Sequence, residues 1–160
     1  MSDREIERLS DLRIRPAAPT DSEVIAVLLG QLGYPASPED IPRRLEAVKN
    51  FSDAIAVVAE DSERGVLGIV TAHVFPSIHS GELRAWLTTI VVLDTARGEG
   101  IGSKLVTYVE EWAAARGVPR IAVTSGKQRE RTHKFYQERG YEWTGLRFMK
   151  TFTEPKEPAR

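Results

Sequence analysis

Hydrophobic positions along the chain repeat with two different periods, and each period predicts an element. Alternating or continuous apolar positions bounded by turn residues predict strands. Strands are predicted at 12–15, 54–59, 66–75, 83–93, 120–124, 141–144 and 146–152. Apolar positions three and four residues apart, begun by capping residues or ended by glycine, predict helices. Helices are predicted at 20–32, 37–48, 102–116 and 130–139.

The order of these elements predicts the fold class. Two helices follow the first strand, three strands follow them, and helices and strands then alternate until two closing strands. This order predicts an α+β fold with a mixed, mostly antiparallel central β-sheet flanked by helices. The chain has no internal repeat or linker, so residues 1–160 are predicted to form a single domain. The charged, proline-bearing ends at 1–10 and 154–160 are predicted to be flexible termini.

Composition narrows the class of protein. The 160 residues are 41% hydrophobic and 28% charged, with a net charge of −1. That balance offers no broad electrostatic surface for nucleic acid or an anionic membrane, so neither partner is predicted. The chain has no cysteine and three histidines, which excludes thiolate chemistry and makes us expect no metal. Without a signal segment or a long apolar run, a cytoplasmic location is predicted.

The segment from 90 to 105 carries the most informative pattern. A strand runs into a glycine-rich turn, Arg97 to Gly102, and then into a helix. Such a turn lets backbone N–H groups approach a phosphate at a helix start. A nucleotide-binding P-loop needs glycine immediately before Lys104, where Ser103 stands, and the dinucleotide fingerprint needs its third glycine at 103. ATP and NAD are therefore disfavoured, and the pattern alone leaves a phosphate site and a plain helix cap open.

Two linked motifs resemble a known family. Arg97-Gly-Glu-Gly-Ile-Gly102, preceded by Ile90-x-Val92, resembles motif A of the GNAT superfamily of acetyl-CoA-dependent N-acetyltransferases. The run from His133 to Tyr141 resembles the Phe-Tyr-x-x-x-Gly-Phe/Tyr signature of the same family. The predicted order of elements is also similar to the family's along nearly the whole chain.

The resemblance implies acetyl-CoA as cosubstrate and a role for each motif residue. The turn would bind the pyrophosphate, the strand would pair with the pantetheine arm, and the Val92 amide would polarise the thioester carbonyl. Tyr136 would be the catalytic acid that protonates the leaving thiolate, with an ordinary phenol pKa of about 10. A core-filling role for Tyr136 remains the alternative. The implied cofactor-binding residues are Ile90, Val91, Val92, Arg97, Gly98, Glu99, Gly100, Ile101, Gly102 and Ser103.

The acceptor side departs from the family pattern. Many members carry a glutamate, often the general base, where this chain has Trp86. His73, Glu82 or bound water are left as proton acceptors. Trp86 favours a flat apolar or cationic acceptor, or is a core tryptophan. The predicted substrate-binding residues are Gln31, Tyr34, His73, Trp86 and Thr88.

The function predicted from these residues is N-acetyltransfer. An acetyl group would pass from acetyl-CoA to a primary amine, on a small molecule rather than a protein, by direct attack in a ternary complex. The alternative is a module that binds acetyl-CoA for regulation or interaction with little catalysis. The sheet edge after residue 141 offers a surface for a homodimer.

Overall fold

A computed structural model describes residues 11–152, so the predicted flexible termini at 1–10 and 154–160 lie outside the described residues. Within that range the chain forms two compact units, one up to Val123 and one from Thr124 onwards. The single-domain assignment stays a prediction.

The first unit is a five-stranded sheet with helices. The strands are β1 (Arg13–Pro16), β2 (Ala54–Asp61), β3 (Gly65–Pro76), β4 (Leu83–Val92) and β5 (Ile121–Val123), and the helices are α1 (Ser22–Leu32), α2 (Ile41–Lys49) and α3 (Ile101–Ala114). The strands lie side by side in chain order, β1 to β4 antiparallel and β5 parallel to β4. This confirms the predicted α+β class and mixed sheet. The second helix begins later than predicted because Pro38–Asp40 first form a 3₁₀ turn.

Helices cover both faces of this sheet. Ile25 and Leu28 of α1 pack in one buried cluster with Ile69 of β3. Val74 of β3 packs in a second cluster with Ala113 of α3. Because side chains alternate along a strand, residues 69 and 74 point to opposite faces, which explains why β3 is apolar almost throughout. Each fully buried Leu or Ile contributes about 1.5–3 kcal/mol to these layers.

An ion-pair network joins β1 to the start of α1 and to β2. The Arg15 guanidinium donates to both carboxylate oxygens of Asp21 and to both of Glu60, each at 2.8 Å. These hydrogen bonds hold the pKa of both carboxyls below its usual range. Asp21 also accepts the Ala18 N–H at 2.9 Å, which fixes the chain where it enters α1.

A β-bulge interrupts β4 halfway along its length. Thr89 lies opposite Thr71 of β3 and Leu87 lies opposite Ala72, so Thr88 is an extra residue without a partner across the ladder. The pairing of β4 with β5 covers only Ala85–Leu87. Within the first unit, the pairing of β4 with β5 therefore ends at the bulge, where the side chains of β4 change faces.

The second unit contains α4 (Glu130–Glu138) and the segment that follows it. The two closing strands predicted at 141–144 and 146–152 are wrong, because neither segment pairs as a strand. Trp143, Leu146 and Phe148 remain largely exposed. Leu146 and Phe148 are two residues apart, as in a strand, but a strand exists only where a neighbour takes up its backbone hydrogen bonds. The sheet edge proposed for a homodimer is therefore not formed by these residues.

Candidate functional site

The glycine-rich turn lies between the end of β4 and the start of α3. A 3₁₀ turn at Asp94–Ala96 leads into Arg97, whose backbone is extended. Gly98 and Gly100 follow with φ values of +86° and +81°, a left-handed conformation that strains residues carrying a Cβ. Within residues 11–152, and apart from its two chain neighbours, no protein atom lies within 4 Å of the position a Cβ would take at Gly98, so this position is open among the described residues.

The helix that follows presents its N-terminus at this turn. The Lys104 N–H donates to the Gly100 carbonyl at 3.1 Å, which closes the first turn of α3. The N–H groups of Ile101 to Ser103 precede that bond, and the first N–H groups of an α-helix have no acceptor within the helix. Together with the partial positive charge of a helix start, this geometry fits a phosphate or pyrophosphate group.

The edge of β4 beside the turn also exposes backbone groups. Leu93 donates its N–H to the Leu67 carbonyl on β3 at 2.8 Å. Because successive residues point their N–H groups to opposite edges, those of Val92 and Ile90 point away from β3. Arg97 folds across the end of this edge and donates from Nε to the Val92 carbonyl at 3.3 Å. An extended amide-bearing chain, such as the pantetheine arm, fits here as an added strand.

The candidate acceptor surface is an aromatic patch on β3 and β4, formed by His73, Phe75 and Trp86. His73 lies directly opposite Trp86 in the ladder, so both side chains share one face of the sheet. Ring centroids are 5.4 Å apart for His73 and Phe75 and 6.5 Å apart for Phe75 and Trp86. Trp86 is 37% exposed, so it is not a core tryptophan. The patch offers a ligand two aromatic faces and an imidazole.

Two of the other three predicted acceptor residues, Thr88 and Gln31, have side-chain partners of their own. The Thr88 hydroxyl lies 2.7 Å from the Thr71 hydroxyl and 3.1 Å from the Thr71 carbonyl. Gln31 donates from Nε2 to the Asp94 carboxylate at 3.1 Å and accepts the Asp94 N–H at 2.9 Å. Tyr34 is 67% exposed just beyond the end of α1. The structure thus brings His73 and Trp86 together, whereas Gln31 joins α1 to the start of the glycine turn.

Tyr136 lies in the second unit, on α4. Its ring packs at 5.2 Å, centroid to centroid, against both Phe135 and Tyr141, and only 5% of the residue is exposed. Burial disfavours the phenolate and raises the pKa of Tyr136 to about 12, although the positive charge of Arg139 acts in the opposite direction. The ordinary phenol pKa expected from the sequence is therefore wrong for Tyr136. Tyr136 therefore keeps its proton throughout the neutral and mildly alkaline range.

Residues 11–152 contain no group of three or more His, Asp or Glu side chains arranged to hold a metal ion. None of the helices in that range is long and apolar enough to cross a membrane.

Comparison with known proteins establishes the family. Residues 22–141 match the model of the Acetyltransferase (GNAT) family, a stretch that includes β2 to β5, the glycine turn and α4. The chain belongs to that family.

The two curated relatives cover less of the sequence. An uncharacterized N-acetyltransferase, YhdJ, from Bacillus subtilis (strain 168) is 35% identical over 63 residues, 39% of this chain and 44% of the relative. An aminoalkylphosphonate N-acetyltransferase from Salmonella typhimurium (strain LT2) is 31% identical over 85 residues, 53% of this chain and 55% of the relative. The chain thus spans about half the length of these curated relatives. A crystal structure of a transcriptional regulator from Bacillus halodurans C-125 has 27% identity and a TM-score of 0.80, covering 88% of this chain and 99% of that one.

Proposed function

We propose that this chain transfers an acetyl group from acetyl-CoA to the primary amine of a small molecule. The observation that carries the proposal is the glycine turn, in which two left-handed glycines open the backbone at the start of α3. Next to it, the N–H groups of Ile90 and Val92 on β4 point away from β3, where an extended pantetheine arm would pair with them. The family membership of residues 22–141 supports the same activity.

The residues divide the chemistry between them. When bound, acetyl-CoA supplies a thioester whose carbonyl carbon forms a bond to the amine nitrogen while its bond to sulfur breaks. In the proposal the Val92 N–H donates to the carbonyl oxygen as negative charge develops there. With the thioester at Val92, which lies opposite Gly68, the attacking amine is five residues along β3 from His73, about 16 Å. In the proposal its proton therefore passes to His73 through bound water, and Tyr136 donates its phenolic proton towards the departing sulfur. The turn from Arg97 to Ser103 holds the pyrophosphate and so fixes the position of the thioester.

The proposed acceptor is a small amine that lies against the aromatic patch. Trp86 and Phe75 favour an acceptor with a flat apolar or cationic surface, through stacking or a cation–π contact. His73 is the ionisable group within the patch, which supports its assignment as proton acceptor in place of the family's glutamate. The relative named as an aminoalkylphosphonate N-acetyltransferase supports a small-molecule acceptor rather than a protein.

Ligand-dependent thermal unfolding tests the first half of the proposal. Acetyl-CoA at about 100 times its dissociation constant stabilises a one-site protein by about 2.7 kcal/mol, which corresponds to roughly 5–10 °C in a domain of this size. ATP and NAD at the same concentration serve as controls and are expected to give no shift. Absence of a shift with acetyl-CoA would overturn the assignment of the turn.

Thiol release tests the second half. With aminoalkylphosphonates, amino sugars and polyamines as acceptors, we expect free CoA thiol to accumulate in proportion to enzyme. The chain has no cysteine, so it contributes no thiol background. Binding of acetyl-CoA without thiol release from any small amine would favour the regulatory module instead.

A further inference from the structure

The glycine turn contains an acidic residue where an anionic ligand is proposed to bind. Glu99 stands between Gly98 and Gly100, the two glycines whose left-handed backbone opens the turn. A free carboxylate at that position would repel a pyrophosphate, because like charges a few ångströms apart raise each other's energy. Some feature of this chain must therefore direct the Glu99 charge away from the ligand or neutralise it.

Arg64 both directs the Glu99 carboxylate away from the ligand and neutralises its charge. It lies in the turn between β2 and β3, 35 residues before Glu99 in the sequence. Its guanidinium donates from the two terminal nitrogens to the two carboxylate oxygens of Glu99, at 3.1 and 2.9 Å. Such a bidentate pair fixes direction as well as charge. The Glu99 carboxylate is thereby turned towards the β2–β3 hairpin.

The hairpin turn that carries Arg64 is itself fixed. Asp61 accepts the backbone N–H groups of Glu63 and Arg64, each at 2.9 Å, and its second oxygen lies 3.4 Å from the Arg64 guanidinium. These backbone donors lower the pKa of Asp61, so its charge persists at neutral pH. Arg64 thus reaches Glu99 from a turn whose geometry is determined before any ligand binds.

The stability of the fold does not by itself account for the Arg64–Glu99 pair. The two side chains remain 39% and 26% exposed, and ion pairs at such exposure contribute little to stability. Because the pair lies at the glycine turn, it also affects how that turn binds a ligand. A turn whose only carboxylate is already paired is prepared for a phosphate, and preparation before binding improves affinity.

We propose that Arg64 is a positioning residue for acetyl-CoA, acting through Glu99. It holds the Glu99 carboxylate against the β2–β3 hairpin and neutralises it, which keeps the glycine turn open to the pyrophosphate. This inference rests on the proposed function, since it presupposes that the turn binds acetyl-CoA. It assigns specificity for the pyrophosphate-bearing donor to a residue outside both family motifs.

Four variants measured by calorimetric titration with CoA test the inference: R64Q, E99Q, the double variant R64Q/E99Q, and R43Q as control. Arg43 is a matched surface arginine on α2 whose ion pair with Asp40, at 3.2 Å, lies in another part of the unit. We expect R64Q to raise the dissociation constant of CoA about tenfold, because the freed Glu99 charge faces the phosphates. R43Q should leave it within about twofold. E99Q removes the repelling carboxylate and should lower the dissociation constant, and the double variant should recover most of the loss seen in R64Q.

A second readout separates positioning from a general structural effect. S-Acetylpantetheine carries the same thioester without the pyrophosphate, so R64Q should lower kcat/KM with acetyl-CoA and leave that with S-acetylpantetheine unchanged. Unfolding temperatures without ligand should agree within about 3 °C across the set. If R64Q is poorly folded, R64K is measured in its place. R64K keeps the positive charge but loses the bidentate geometry, so a smaller rise in the dissociation constant of CoA is expected.

The outcomes are distinguishable. If the original chain does not bind CoA, the proposed function fails and this inference fails with it. If the original chain binds CoA and R64Q binds equally well, the proposed function stands and Arg64 has no positioning role. If R64Q and the double variant lose affinity equally, Arg64 acts without Glu99, which also overturns the inference.

Discussion

Burial of Tyr136 determines both what its phenol can donate and the pH range over which it does so. The folded-state pKa of about 12 lies above the ordinary value of about 10, so the folded protein holds the phenolic proton more tightly. The neutral phenol is fully present below pH 10 and is lost as the pH rises through about 12. Proton transfer from this phenol to a thiolate is then unfavourable, because the conjugate thiol has an ordinary pKa of about 8.5, several pKa units lower. In the proposed reaction, Tyr136 would therefore act best as a hydrogen-bond donor to the departing sulfur and would transfer its proton only late in the step.

Replacing Tyr136 with Phe removes the donor while keeping the ring that packs against Phe135 and Tyr141. We expect kcat to fall about 100-fold, the lower end for a general acid, with the dissociation constant of CoA unchanged. In the original chain kcat should show no loss attributable to Tyr136 between pH 7 and about 10, since the phenol stays protonated there. Tyr141→Phe is the matched control and should change kcat by less than about threefold. Full activity in Tyr136→Phe would leave Tyr136 only its packing role.

At the scale of elements, the β4 bulge shows where sequence patterns stop being informative. Regular alternation over 83–93 predicts that Trp86 shares a face with Val92. In the structure Trp86 lies opposite His73 and Val91 lies opposite Ile69, so the shared face changes from even to odd positions at Thr88. The run Ile90–Val92 is apolar at every position and gives no sign of this change. The bulge depends on pairing with β3, a non-local contact that period alone does not encode.

Two substitutions distinguish a residue that joins two structural elements from a residue that binds the acceptor. Gln31→Ala removes both hydrogen bonds to Asp94 and should lower the free energy of unfolding by about 1 kcal/mol, with the acceptor KM changed less than twofold. Trp86→Ala removes an exposed aromatic face and should raise the acceptor KM about five- to tenfold with little effect on stability. Denaturant unfolding and steady-state kinetics on both variants provide the comparison. A raised acceptor KM with unchanged stability in Gln31→Ala would instead support the predicted role of Gln31 in substrate binding.

At the scale of the whole chain, local pattern predicted most of the architecture and the glycine turn. Every strand and helix predicted over 12–124 has a counterpart in the structure, because each rests on a period and its flanking caps or turns. The closing strands failed because strand pairing is not local. The same limit applies to the site: the contacts Arg64–Glu99 and Gln31–Asp94 join residues 35 and 63 positions apart, and no spacing rule predicts them.

Because the chain has no cysteine, the order of steps in the catalytic cycle can be predicted. A double-displacement route would first move the acetyl group to a protein nucleophile, and the best one, a thiolate, does not exist in this chain. We therefore expect intersecting rather than parallel double-reciprocal plots, as direct transfer in a ternary complex requires. Intact mass spectrometry after incubation with acetyl-CoA alone should show no acetylated protein. Parallel plots together with an acetylated His73 or Ser103 would instead require a covalent route, because only a stored acetyl group lets CoA leave before the amine binds.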